Sequence, residues 1–332
     1  GNTFVLKPSE KDPSAALYVA QLAHEAGLPN GVLNVVNGGK EVVDVLLTDS
    51  TIKAISFVGS TSVAEAVYSK ATDEGKRCQA LGGAKNHAIV MPDADLPNVV
   101  KALMGAAFGS SGERCMAISV AVAVGHQTAT DLVANLKTEM SGLKVGGPQN
   151  TNNDFGPLIS AEHKEKVINF IESAEAEGAK LVVDGRSPEL SAEDRGFFLG
   201  GTLIDKVEPA MTCYRNEIFG PVLCVVHVDN LEEAMSLVSE HEYGNGVCLF
   251  TRDGESARYF SDNVDAGMVG INVPLPVPVS YHSFGGWKRS LFGDLGAYGP
   301  DGVRFYTRRK TITQRWPTLS TKETTSFSFP SS

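Results

Sequence analysis

The chain has 332 residues, beyond the size at which one apolar core stops growing, and its 42% hydrophobic and 20% charged content is ordinary for a globular protein, so two domains are expected. Twenty-nine basic against 39 acidic residues leave a net charge of −10 with no basic stripe, which argues against nucleic acid as a main partner, and no apolar run approaches the length of a membrane span. The five cysteines, Cys78, Cys115, Cys213, Cys224 and Cys248, are odd in number and form no CxxC pair, which speaks against a disulfide framework or zinc ribbon and for a reducing intracellular compartment.

The opening GNTFVLKPSE has no initiator Met, signal peptide or transit-type segment and reads as the middle of a domain. The expectation is a portion of a longer chain. Residues 3–6 predict a buried strand, followed by the turn Lys7-Pro8-Ser9-Glu10. Asp12 is placed to cap a helix with Pro13 at its first position and Gly27 at its end. Further strands are predicted at 32–36, 54–58 and 87–91, with helices from about Glu41, from Thr61 to about Glu74, and from near Asp95. The alternation restarts near residue 105 with a strand at 117–124, helices at 127–140 and 161–178, and strands at 180–184, 219–228 and 247–251. Alternating strands and helices with short connections predict an α/β fold, an open parallel sheet with helices on both faces, and the restart predicts a domain boundary near 105. Residues 303–316 alternate aromatic or β-branched with basic side chains and predict a strand that pairs with another subunit. The Ser/Thr-rich tail 317–332 predicts disorder.

Cys115 stands apart from the other cysteines. Cys224 and Cys248 lie inside apolar runs, as core cysteines do, whereas Cys115 sits in the polar, glycine-rich loop GSSGERCMA (109–117) beside Arg114. A neighbouring cation lowers a thiol pKa and favours the nucleophilic thiolate. Gly59 and Ser60 lie between a strand and a helix, where free N–H groups attract phosphate, although Ala64 breaks the GxGxxG spacing. Lys7, Ser9 and Glu10 occupy a strand-end turn of the kind that binds ligands in open sheets, and a carboxylate there suits a ribose 2′-hydroxyl. Glu217 and Phe219 pair a carboxylate with an aromatic ring before a strand. Taken singly, the 59–60 turn reads as well as a plain strand-to-helix turn, and the 7–10 and 217–219 segments read more simply as a solvated charged loop and a strand-entry turn. HExxH, Walker A, GxSxG and the kinase motif set are absent, and no cysteine stands near Cys115 to resolve a thiol-redox cycle.

Taken together and in order, KPSE (7–10), FVGST (57–61), LGG (81–83), GERC (112–115), FGPLIS (155–160), EIFGPV (217–222) and FGGWKRS (284–290) resemble the aldehyde dehydrogenases over nearly the whole chain. The resemblance implies a Rossmann-type cofactor domain within 1–105 that lacks its N-terminal part, a catalytic domain at 106–288, and a return segment with an oligomerisation strand at 289–316. It implies NAD as cofactor, with Lys7, Ser9 and Glu10 at the adenosine ribose, Gly59 and Ser60 near the pyrophosphate, and Glu217 and Phe219 at the nicotinamide ribose and ring. Cys115 becomes the nucleophile. LGGAKNH (81–87), MPDAD (91–95), GERCMA (112–117) and 273–290 are similar to the CoA-acylating branch, the methylmalonate-semialdehyde (malonate-semialdehyde) dehydrogenases. Hydrolytic members carry a Glu where this chain has Ala80, so coenzyme A is the implied acyl acceptor. Arg114 is then placed to pair with the semialdehyde carboxylate in a fork. The resemblance also puts an oxyanion Asn upstream of Lys7, so activity is assigned to the intact parent, as a homodimer or homotetramer in a mitochondrial matrix or bacterial cytoplasm. A hydrolytic aldehyde dehydrogenase and a catalytically inactive fragment are the competing readings.

Overall fold

The structure is a computed structural model, described over residues 1–316; the predicted disordered tail lies outside the described residues. In chain order the elements are β1 (Phe4–Leu6), α1 (Ser14–Glu25), β2 (Leu33–Val35), α2 (Lys40–Thr48), β3 (Ala54–Val58), α3 (Thr61–Asp73), β4 (Arg77–Leu81), β5 (Asn86–Val90) and α4 (Leu96–Phe108). They continue with β6 (Ile118–Val124), α5 (His126–Met140), α6 (Ala161–Ala176), β7 (Lys180–Val183), β8 (Thr202–Asp205), α7 (Thr212–Arg215), β9 (Val222–Val228) and α8 (Leu231–Glu240). The last are β10 (Tyr243–Gly244), β11 (Gly246–Phe250), α9 (Gly254–Asn263), β12 (Met268–Ile271), β13 (Trp287–Lys288), β14 (Leu291–Phe292) and α10 (Gly299–Tyr306).

A seven-stranded sheet of order β12-β11-β5-β6-β9-β8-β7 forms the main frame, parallel except for β7 against β8. Its period of two sorts β6 cleanly. Val120, Val122 and Val124 face one core with α6, α8 and α9, while Ala121 and Ala123 face the other with α4 and α5. Small residues on that second face let Leu103, Phe108, Leu132 and Leu136 pack against the sheet. A smaller sheet, β14-β4-β3, packs Ala80 and Cys78 against Leu47 and α3. β1 and β2 form a separate parallel pair. The change of sheet falls between β4 and β5, at residues 82–85, so β5 joins the larger sheet well before residue 105, which lies inside α4.

Three local expectations are corrected. β1 is not buried: Phe4 and Val5 are 44% and 39% exposed, because only β2 pairs with it among the described residues. Asp12 does not cap α1. Pro13 occupies the cap position without a side-chain bond, and the Ser9 hydroxyl instead accepts from the N–H groups of Lys11 and Asp12. The predicted strand at 303–316 is helical at its start and has no regular structure over 307–316. Gly299-Pro300 starts that helix, and the Arg77 guanidinium donates to the carbonyls of Arg304 and Thr307 at its C-terminal end while lying over the Phe305 ring.

A buried polar knot fastens β5 to α7, and α7 to the segment after α8. His87 Nε2 lies 2.9 Å from the Tyr214 hydroxyl, and His241 Nε2 is 3.3 Å from the Tyr214 carbonyl. Burial pushes His87 down to about 3 and His241 to about 4. Both are therefore neutral when folded, whereas the unfolded chain protonates them below about pH 6.5. Their contribution is present above that pH and is lost as pH falls toward 4 and then 3. The urea midpoint should fall more steeply between pH 6.5 and 4 in the wild type than in His87→Gln; parallel profiles would contradict this assignment.

Candidate active site

Cys115 lies in the connection between α4 and β6, and the backbone there is strained. Ser110 and Ser111 adopt φ of 54° and 57°, and Gly112 follows at 71°. This reversal lifts Cys115 into the open: it is exposed, while Cys78, Cys213, Cys224 and Cys248 are buried. The Ser111 hydroxyl donates to the Gly156 carbonyl at 2.7 Å, which ties the reversal to the FGPLIS segment. Gly112 is required by contact as well as by conformation, since a Cβ there would stand 2.2 Å from the Gly220 carbonyl oxygen. Gly112→Ala should therefore separate the two loops and lower turnover about 100-fold, the scale of a 1 Å misplacement. A kcat within about threefold of wild type would show that the two loops need not touch.

Cys115 shares one cleft with Ala84, Asn86, Arg114, Glu217 and Phe219. The Cys115 carbonyl behind the sulfur is held twice. Asn86 Nδ2 donates to the Cys115 carbonyl at 2.9 Å and to that of Ala117 at 2.9 Å, while Asn245 Nδ2 donates to the Cys115 carbonyl at 3.0 Å. The Gly246 N–H fixes the Asn86 amide in turn. These two buried asparagines escaped the sequence reading. Asn86 opens an otherwise apolar strand, and a polar residue at such a position was the available signal.

The expected activation by Arg114 is corrected. Although the residue is open to solvent at the surface, its sulfur is partly enclosed by the loop, and this desolvation, the largest influence, raises the Cys115 thiol above its ordinary value; nearby backbone N–H groups oppose this, Glu217 adds to it, and Arg114 is the weakest contributor. The alkylation rate of Cys115 should therefore climb toward alkaline pH. The Arg114 guanidinium is turned toward α4. Its Nη2 donates to the carbonyls of Gly105 and Ala106 at 2.6 and 3.0 Å, and Nε is buried without a partner. With Nη2 committed to the helix end, the predicted fork is reduced to what Nη1 can offer.

Glu217 is mostly buried and uses Oε1 to accept from the Ala84 N–H at 3.0 Å. Burial raises its carboxyl, against the pull of the Ala84 N–H and Lys85. Lys85, fully buried, donates to the carbonyls of Cys213 and Asn216 at 2.6 and 2.8 Å, so adjacent residues grip both sides of the Glu217 turn. Phe219 carries a φ of 61°, unusual for a bulky residue.

Ser60 stands at the N-cap of α3 and makes no side-chain capping bond, which leaves the first-turn N–H groups unengaged by it. Gly59 packs against the Phe57 ring, where a Cβ would clash at 2.5 Å. The next residue links this turn to the cleft: the Thr61 hydroxyl accepts from the Gly83 N–H at 3.0 Å, and Gly83 touches the Glu217 carboxylate. Lys7, Ser9 and Glu10 line a separate, much larger cavity of about 1910 Å³ bounded by β1, α2, β3 and α3. There the Lys7 ammonium lies 3.3 Å from the Glu10 carboxylate and donates to the Gly38 carbonyl. The structure thus joins Cys115 with Glu217 and Phe219, connects Ser60 to them by one step, and keeps the 7–10 turn on another wall.

Among the described residues no group of three or more His, Cys, Asp or Glu side chains could hold a metal, and no helix is long and apolar enough to cross a membrane. The profile of the aldehyde dehydrogenase family matches residues 1–312. A malonate-semialdehyde dehydrogenase of Pseudomonas aeruginosa is 65% identical over 331 residues, which is 100% of this chain and 67% of that protein. The crystal structure of a methylmalonate-semialdehyde dehydrogenase from Oceanimonas doudoroffii superposes with a TM-score of 0.95 at 67% identity, over 96% of this chain and 65% of the other. A putative methylmalonate-semialdehyde dehydrogenase from Sinorhizobium meliloti, solved with NAD, gives 0.94 at 55% identity, over 96% and 65%. The chain spans about two thirds of the length of these relatives. With its motifs in register and its fold shared, this chain belongs to the aldehyde dehydrogenase family.

Proposed function

We propose that the whole protein is an NAD-dependent, CoA-acylating dehydrogenase of malonate or methylmalonate semialdehyde, with Cys115 as its nucleophile. The observation that carries this reading is the single exposed thiol, set on a glycine reversal in a cleft that also holds Glu217 and Phe219. Relatives named for these substrates, at 65% and 67% identity, support the substrate class.

Cys115 attacks the aldehyde carbon, and its backbone N–H is positioned to receive the developing oxyanion. Asn86 and Asn245 hold the Cys115 carbonyl, on the next peptide along, and so fix the loop around it. NAD, when bound, accepts the hydride that converts the thiohemiacetal to a thioester. The candidates to hold it are the α3 N-terminus at Gly59 and Ser60, Glu217 and Phe219 beside the thiol, and Lys7, Ser9 and Glu10 on the larger cavity. A spare polar edge fits this role: the Ser60 side chain caps nothing, and Glu10 is exposed with its carboxyl held low by its own backbone N–H and by Lys7. Arg114 offers Nη1 to the substrate carboxylate. Cleavage of the bond to that carboxylate releases carbon dioxide, which water hydrates to bicarbonate, and the carbanion left on the α-carbon takes a proton from solvent to give an acetyl or propionyl thioester. The thiol of coenzyme A then attacks the thioester carbonyl and Cys115 leaves as the thiolate.

A thiol acceptor rather than water is supported by position 80, where no carboxylate stands, and by the partly engaged carboxylate that lines the cleft among the described residues. Ala80 is fully buried between β3 and β14, and Glu217, the carboxylate lining the cleft, is already bonded to Ala84. Residues 1–105 and 106–288 as cofactor and catalytic domains, and a homodimer or homotetramer, belong to the same proposal. The test is an assay of the full-length protein with malonate semialdehyde and NAD, with and without coenzyme A. Acetyl-CoA formation supports the reading; free acetate at the same rate without coenzyme A points to the hydrolytic alternative.

A further inference from the structure

The two loops that flank the Cys115 sulfur are joined through one imidazole that belongs to none of the sequence motifs. His163 sits in the first turn of α6, where its backbone N–H is capped by the Ser160 hydroxyl at 3.2 Å. Its Nε2 lies 2.6 Å from the Phe219 carbonyl oxygen. A carbonyl can only accept, so Nε2 carries the proton and donates. The same nitrogen is 3.5 Å from the Glu113 carboxylate, and both side chains are 16% exposed. Glu113, two residues before the nucleophile, also accepts from the Ile159 N–H at 3.2 Å, which anchors it to the segment leading into α6. The imidazole meets the Phe219 ring edge-on, with centroids 6.2 Å apart.

The bond to Phe219 matters because of the backbone it restrains. A phenylalanine at φ 61° is held in a conformation that its side chain disfavours and that persists only where surrounding contacts over-determine it. On one side Gly112 presses against Gly220, and on the other His163 holds the carbonyl. Released from either, Phe219 is free to leave the left-handed region and rotate its ring away from the cleft.

We propose that His163 is a positioning residue that fixes the spacing between Phe219 and Cys115, by donating to the Phe219 carbonyl while its contact with Glu113 ties that bond to the nucleophile loop. This rests on the reading above that Phe219 faces the flat ring of the dinucleotide. The donor geometry predicts a rank order of substitutions. The amide nitrogen of glutamine reaches about as far as imidazole Nε2, that of asparagine stops short, and leucine has no donor.

The test uses two measurements. In the purified 332-residue chain, the rate of Cys115 alkylation by iodoacetamide is followed by peptide mass without dinucleotide. His163→Leu and His163→Asn should change it about threefold or more, the scale of one lost hydrogen bond, and His163→Gln should stay near wild type. If the leucine variant does not fold, the glutamine–asparagine comparison carries the same test. In the full-length enzyme, the leucine and asparagine variants should raise KM for NAD about tenfold with a smaller change in kcat, and glutamine should restore it. Equal alkylation rates for the glutamine and asparagine variants would overturn the proposal. A preserved alkylation order in a protein that does not oxidise the semialdehyde would instead overturn the functional reading and leave the clamp standing.

Discussion

Cys115→Ser should abolish semialdehyde oxidation, with kcat/KM falling by about 10⁴-fold or more, while the folded state is barely disturbed. The loss follows from the chemistry of the position. A hydroxyl ionises far less readily than a thiol and attacks carbonyls poorly without an adjacent base. No histidine lines this cleft to supply one. Stability should hold because Cys115 is exposed and belongs to none of the three apolar cores. Cys224→Ser should behave in the opposite way, since that thiol is fully buried between β6 and β8, and a new hydroxyl there needs a partner. Thermal melts and steady-state kinetics on the two variants separate these outcomes. Comparable activity loss in both would contradict the assignment of chemistry to position 115.

The second large effect is expected on omitting coenzyme A. Oxidation should then stop after about one equivalent of reduced cofactor per site, because the thioester has no efficient acceptor, and adding coenzyme A should restore turnover about 100-fold. The physical basis is the state of the carboxylates around the cleft. Glu217 has one oxygen on the Ala84 N–H and its other against Gly83, and Glu113 is held by Ile159 and His163. In the resting fold each has its Oε1 engaged. Full steady-state turnover without coenzyme A would show that one of them serves as a base for water.

Much of this arrangement was legible in the sequence. The strand at 54–58 and the helices at 161 and 127 were found within one or two residues, because alternation and glycine punctuation agree there with the tertiary packing. β4, β8, β12, α8 and α9 were passed over. β4 and β12 are short and carry Arg77, Gln79 or Gly270, which dilute any strand pattern. α8 and α9 do carry local signals, since Asn230 and Asp253 cap them by accepting from Glu233 and Ser256. Within 303–316 alternating basic and apolar residues fit a strand, yet residues 303–306 are helical, and the arginine that caps that helix lies more than 200 residues away, at Arg77. Long-range contacts of that kind leave no local trace.

At the site, the motif residues Cys115, Glu217 and Phe219 converge as their chemistry required, and Gly112 proves essential for a reason that spacing alone could not give. Arg114 was assigned a fork and a thiolate from its adjacency to Cys115. Adjacency in sequence does not fix direction, and the side chain points back to the end of α4. The residues that hold the loops around the cleft, Asn86 and Asn245 on Cys115, Lys85 on Cys213 and Asn216, and His163 on Phe219, act through backbone carbonyls, so they announce themselves only as polar residues in places that look structural.

The most direct measurement is to trap the acyl-enzyme. Full-length protein incubated with semialdehyde and NAD, without coenzyme A, is digested and weighed by mass spectrometry. The account predicts a thioester adduct on the peptide containing Cys115 that disappears when coenzyme A is added. An adduct on Cys78, Cys213, Cys224 or Cys248 alone, or turnover with none on any cysteine, would contradict it.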